Sequence, residues 1–81
     1  MQTYYFHLRD GTDVLLDPDG RALPSLAAVA GAALLEARAI ISAEAKGGRI
    51  SLNQSIDVED EAGQVVHSLP FAEAVQIKPL S

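Results

Sequence analysis

The stretch YYFHLRDG, residues Tyr4 to Gly11, decides how the rest of this chain is read. Tyr4, Phe6 and Leu8 alternate with Tyr5, His7 and Arg9. A period of two with aromatic enrichment is the pattern of a strand with one buried face. Asp10-Gly11 follows as a hairpin signal, because glycine accepts the positive φ that tight turns demand. A second strand is predicted over about Asp13 to Asp17, and Asp17-Pro18-Asp19-Gly20 ends it as a turn. The chain therefore opens on a hairpin whose face of Tyr4, Phe6 and Leu8 needs a cover.

The middle of the chain supplies one. Ser25 stands where a helix N-cap belongs, and Gly47-Gly48 marks the other end, with Lys46 near the negative pole. At the helical period, Leu26, Val29, Ala30, Ala33, Ala37, Ile40 and Ile41 share a face suited to the hairpin. The opposite face carries Ala28, Ala32, Leu35 and Ala39, flanked by Gly31 and Ala43, where lysine and glutamate usually stand. Alanine is the best helix former, so the stripe reads as helix propensity. It reads equally as a helix–helix contact in which small side chains let two backbones approach, with Leu35 as the knob.

Beyond the glycines, Ile56 and Val58 alternate with Asp57 and Glu59. Ala62-Gly63 makes a turn, and Gln64 to Leu69 returns as the partner strand until Pro70 stops it. FAEAVQI, Phe71 to Ile77, suggests a helical turn followed by a short terminal strand. The expected fold is α+β: a β-β-α-β-β two-layer sandwich, one or two antiparallel sheets of two hairpins covered by a long helix, in one domain over residues 1–81.

Composition narrows the function. The 81 residues are 48% apolar and 21% charged with a net charge of −5, an ordinary globular balance. A chain this short buries only about 60–65% of the surface its unfolded form exposes. Small domains offset such a core with disulfides, a metal or association. With no cysteine and two histidines, association is the device left. The six cations (Arg9, Arg21, Arg38, Lys46, Arg49 and Lys78) form no run, which argues against direct binding of nucleic acid. Residues 1–11 lack the charged start and apolar block of a secretory signal. The apolar block Ala22 to Leu35 contains Pro24 and Ser25 and is short for a membrane span. The expected location is the cytoplasm, with no membrane partner.

Residue by residue, chemistry finds little purchase. His7 and His67 would each lie on a strand, and their rings could meet if the hairpins share a sheet, with Asp10, Asp57 or Glu59 as a third group. No metal-ligand spacing links them, and a histidine on the outer sheet face is the simpler reading. Asp17, Asp19 and Gly20 resemble part of a calcium loop, but Pro18 and Arg21 interrupt it and turn chemistry accounts for each. Glu59 to Gly63 is an acidic hairpin tip. Ser25, Ser42, Ser51, Ser55 and Ser68 stand in no nucleophile-elbow context. No catalytic residue, metal or cofactor is assigned.

YYFHLRDG, DPDG followed by LP, the alanine-rich helix ending in GGR, DVEDEAGQVV and PFAEAVQI together resemble a family of short proteobacterial proteins known as a domain of unknown function. The likeness covers about residues 3 to 77, and its opening and DEAG segments are the most specific. It implies a single small bacterial domain, with no activity or cofactor to carry over. Other members look more charged along the helix, where this chain is nearly bare. A weaker, fold-level similarity is to the antitoxin half of HicA/HicB-type pairs. The reading is a small non-enzymatic interaction or regulatory module that self-associates, as a homodimer. Its contact would be the stripe of Ala28, Ala32, Leu35 and Ala39 or the outer sheet strip of Tyr5, His7 and Arg9. The alternative is an antitoxin-like protein that binds a small basic partner through its acidic hairpin tips.

Overall fold

Tyr4 to Asp10 of the YYFHLRDG stretch lie in the longest strand among the described residues. In the computed structural model, which describes residues 1–79, β1 spans Gln2–Asp10, β2 Asp13–Leu15 and β3 Arg21–Leu23. Helix α1 spans Leu26–Lys46, and β4 Gln54–Glu59, β5 Val65–Pro70 and α2 Phe71–Ala74 follow. The strands form one antiparallel five-stranded sheet in the order β2-β1-β4-β5, with β3 also on β1. Both expected hairpins are present, and they join through β1 and β4 into one sheet.

β3 is an addition to the expected order. Leu8, Arg9 and Asp10 of β1 pair with Leu15, Val14 and Asp13 of β2. Along the same edge, Gln2, Thr3 and Tyr4 pair with Leu23, Ala22 and Arg21 of β3. β2 and β3 thus act as one edge strand interrupted by residues 16–20, which leave β1 opposite Phe6. Gly20 ends the interruption at φ +70, and a Cβ there would lie 2.8 Å from Thr3 Cγ2 and 2.9 Å from the Tyr5 ring. Backbone conformation and space both require glycine at that position.

The helix starts and stops where the sequence placed its caps. Ser25 Oγ accepts the Ala28 N–H at 3.1 Å, and the Gly47 and Gly48 N–H groups donate to the Glu44 and Ala45 carbonyls. Val29, Ala33, Ala37 and Ile41, four residues apart, form its buried face. They pack on Tyr4 and Phe6 of β1 and Ile56 and Val58 of β4, with Leu8, Ile40 and Leu69 at the margin. Leu26 departs from its expected place: at the first helical residue it is exposed rather than packed on the sheet. Gln54, a buried polar residue, ties the helix end to β4 by donating to the Glu44 carboxylate and the Ser51 carbonyl.

By length and mean hydropathy (1.7) α1 is long and apolar enough to cross a bilayer. It runs beyond the apolar block that ends at Leu35, through Ala37–Ile41 to Lys46. Its sheet-facing residues are those of a core helix.

Phe71 and Ala74 of α2 are fully buried and close the end of the layer. The Arg38 Nε–H, donating to the Ala74 carbonyl at 2.8 Å, fastens α2 to α1. The terminal strand expected after this turn does not form. Val75 is extended at φ −136, ψ 157, but Val75–Pro79 enter no ladder.

Candidate functional site

Two surfaces were singled out by sequence, and the fold treats them differently. On the outer sheet face, β1 and β4 pair in a register that sets Tyr5 against Glu59, His7 against Asp57 and Arg9 against Ser55. His7 and Arg9 of one strand therefore meet the acids of the other, directly or on the diagonal. His7 Nε2 lies 2.8 Å from Glu59 Oε1, and Arg9 Nε–H donates to Asp57 Oδ2 at 2.9 Å. Ser68 of β5 donates its hydroxyl to Asp57 Oδ1 at 2.7 Å. The strip of Tyr5, His7 and Arg9 is thus assembled as expected, but His7 and Arg9 are engaged by the protein's own carboxylates.

Asp17 is the hub that sequence reading assigned only to a turn. Its Oδ1 accepts the Asp19 and Gly20 N–H groups, each at 3.1 Å, which builds the turn. Its Oδ2 accepts the Phe6 N–H at 3.1 Å. A carboxylate oxygen thus fills the break in the edge strand where a carbonyl would otherwise sit. The Asp17 N–H donates to His7 Nδ1 at 3.0 Å, so Nδ1 carries no proton and Nε2–H is the donor to Glu59. Burial works against ionisation of Asp17, yet the N–H groups of Phe6, Gly20 and Asp19, with His7 nearby, hold its carboxyl below the usual range. Burial also opposes ionisation of Asp57, and the Ser68 hydroxyl and Arg9 outweigh it.

An open cleft of about 280 Å³ stands over His7, Arg9, Asp57 and Glu59, with Val14, Leu16 and Val65 as walls. A second of about 280 Å³ lies between sheet and helix, over Phe6, Leu8 and Ile56, and Leu16 lines that one too. Arg21 closes part of the second: its guanidinium sits 4.6 Å from the Phe6 ring centroid and donates to Glu36 at 3.1 Å.

The two histidines do not meet. His67 pairs with the buried Val58, on the helix side, whereas His7 pairs with Asp57 on the other face. A bulge at Val58/Glu59, which leaves Val66 as the extra residue, accompanies this. The His7 ring is occupied by Asp17 and Glu59 and the Ser68 hydroxyl by Asp57, so imidazole and hydroxyl form no nucleophile–base pair. Among the described residues no three His, Asp or Glu side chains gather as a metal-ligand set. At the acidic tip, Asp60 Oδ1 accepts the Ala62 and Gln64 N–H groups, and Glu61 accepts the Thr3 N–H at 3.1 Å. Two of its carboxylates are therefore turned onto the chain's own backbone.

On the back of α1, Leu35 is 69% exposed and Ala39 is exposed, whereas Ala28 and Ala32 are half-buried. Ala32 leans to the sheet side and packs on the core. Gly31 and Ser42, also exposed, complete the surface around Leu35. Sequence reading weighed Asp57 and Glu59 only as a third group beside the histidines and Asp17 only in its turn, although acids at alternate positions in DVE match the alternation of Tyr5, His7 and Arg9 once β1 and β4 are neighbours.

Comparison of the chain with curated proteins and with solved structures finds no match, so nothing there bears out the likeness to HicB-type antitoxins. The family comparison is positive over most of the fold, from the start of β1 into α2. Its family model, described as Domain of unknown function (DUF6894), matches residues 3–72, and the chain belongs to that family.

Proposed function

We propose that this protein is a small, non-enzymatic cytoplasmic interaction module that associates with a second copy of itself through the back of α1. The observation that carries the reading is Leu35, 69% exposed at the middle of a helix face whose neighbours Ala28, Gly31 and Ala39 are small and uncharged. Small side chains let a second backbone approach, and a leucine among them inserts between the partner's side chains. The outer sheet strip is less well supported as the contact, because His7 and Arg9 are already paired with Glu59 and Asp57. The antitoxin-like alternative also has less support, since Asp60 and Glu61 serve the chain's own backbone.

The test is the mass in solution, by light scattering over a concentration series, of the native protein beside Leu35→Glu. A native dimer with a folded monomeric variant is the expected result. Monomers in both cases would refute self-association. Dimers in both would move the contact away from the helix back.

A further inference from the structure

His7 is placed as more than a structural histidine. It is largely buried, with a side chain 12% exposed, and both ring nitrogens are used. Nδ1 accepts the Asp17 N–H at 3.0 Å, and Nε2 lies 2.8 Å from Glu59 Oε1. The first of these bonds exists only while the ring is neutral, because an imidazolium has two donors and no acceptor. The charged groups facing the ring are largely acidic: Asp57 and Glu59 from β4 and Asp17 from the interrupted edge, with Arg9 on β1 the nearby cation. A protonated ring sets a second donor, Nδ1–H, against the Asp17 N–H. The two protonation states therefore call for different positions of residues 16–20.

We propose that His7 is a pH-responsive latch: neutral, it holds the segment 16–20 against the edge of β1, and protonated, it releases that segment. On protonation Nδ1–H and the Asp17 N–H become two donors face to face, and the Asp17 backbone moves off the ring. The same movement draws Asp17 Oδ2 away from the Phe6 N–H. The break in the edge strand is then left open. Leu16, which lines the clefts on both faces of the sheet, moves with it. Release thus opens the β1 edge at Phe6 and both clefts together. The pairings of β2 and β3 with β1 hold the segment at its ends, so the sheet itself persists.

The experiment is amide hydrogen exchange of Phe6, Asp17 and Gly20, corrected for the intrinsic exchange rate. It compares the native protein with His7→Gln from about pH 8 to about pH 5, the interval in which imidazoles titrate. Glutamine can accept from the Asp17 N–H and donate to Glu59 without titrating. The expected result is a loss of protection in the native protein of roughly tenfold, the scale of one net hydrogen bond, and no loss in the variant. Ring ¹⁵N shifts of native His7 give an independent reading: an unprotonated Nδ1 at the upper pH, protonated over the same interval in which Asp17 loses protection. Constant protection in the native protein overturns the latch. So does an equal loss in His7→Gln, or a ring that titrates while the Asp17 amide is unmoved.

Discussion

Replacing Asp17 by asparagine tests the claim that one carboxylate completes the sheet edge. The native side chain accepts three N–H groups, two on Oδ1 and one on Oδ2. Asparagine keeps a single acceptor oxygen. Placed to serve Asp19 and Gly20, it turns its NH₂ toward the Phe6 N–H, and two donors face each other in a buried strand. Stranding a buried donor costs roughly 1–3 kcal/mol, so the expected loss at neutral pH is about 2 kcal/mol. In a domain this size that lowers Tm by about 8–16 °C, at ~4–8 °C per kcal/mol. The chain has no tryptophan, so urea unfolding is followed by far-ultraviolet circular dichroism, with the slope m expected to stay constant. The pH dependence sharpens the test. Burial raises the Asp17 pKa, but the N–H groups of Phe6, Gly20 and Asp19 hold it below its ordinary value. Its contribution is therefore complete above the unfolded pKa, about 3.9, and is lost as pH falls through the lower folded value. The stability gap between native protein and variant should narrow below about pH 4. Equal stability at neutral pH, or a gap that stays constant into acid, would refute the reasoning.

Gly20→Ala combines a left-handed backbone with a Cβ 2.8 Å from Thr3 Cγ2; a loss of about 2–4 kcal/mol is expected in thermal unfolding. Gly11→Ala is its control, because Gly11 has a similar φ of +62 with nothing within 4 Å of the added Cβ, so only about 1–2 kcal/mol should be lost. Phe71→Ala removes a fully buried ring from α2 and should cost about 3–5 kcal/mol, read as a lower urea midpoint.

Much of the fold was legible because the signals are local. The alternation in YYFHLRDG, the Ser25 cap and the Gly47-Gly48 stop each involve neighbours in sequence, and the two elements they mark formed within a residue or two of their expected bounds. β3 was hidden because Arg21–Leu23 sits between the Asp17–Gly20 turn and Pro24, too short to display a period. The site was less legible. Tyr5, His7 and Arg9 were placed on one face by alternation alone, but their partners depend on the register of β1 with β4, which nothing local specifies. Asp17 was read as a turn former from its spacing to Gly20. Its second oxygen reaches Phe6, 11 residues away, and no turn signature carries that bond. The helix back was visible as a stripe, although Ala32 proved to belong to its buried flank.

The middle of the sheet has a consequence for how the chain assembles. Each hairpin and the helix close over short distances, but β1 and β4, the strands that all else packs against, join residues as far apart as His7 and Glu59, 52 positions in sequence. Closing so long a loop costs entropy before any ladder bond repays it. The local elements can therefore form early and remain marginal, while docking of the second hairpin onto the first limits the rate. Substitutions along the β1–β4 ladder act chiefly on the speed of folding, and those at Phe71 on how long the folded state survives.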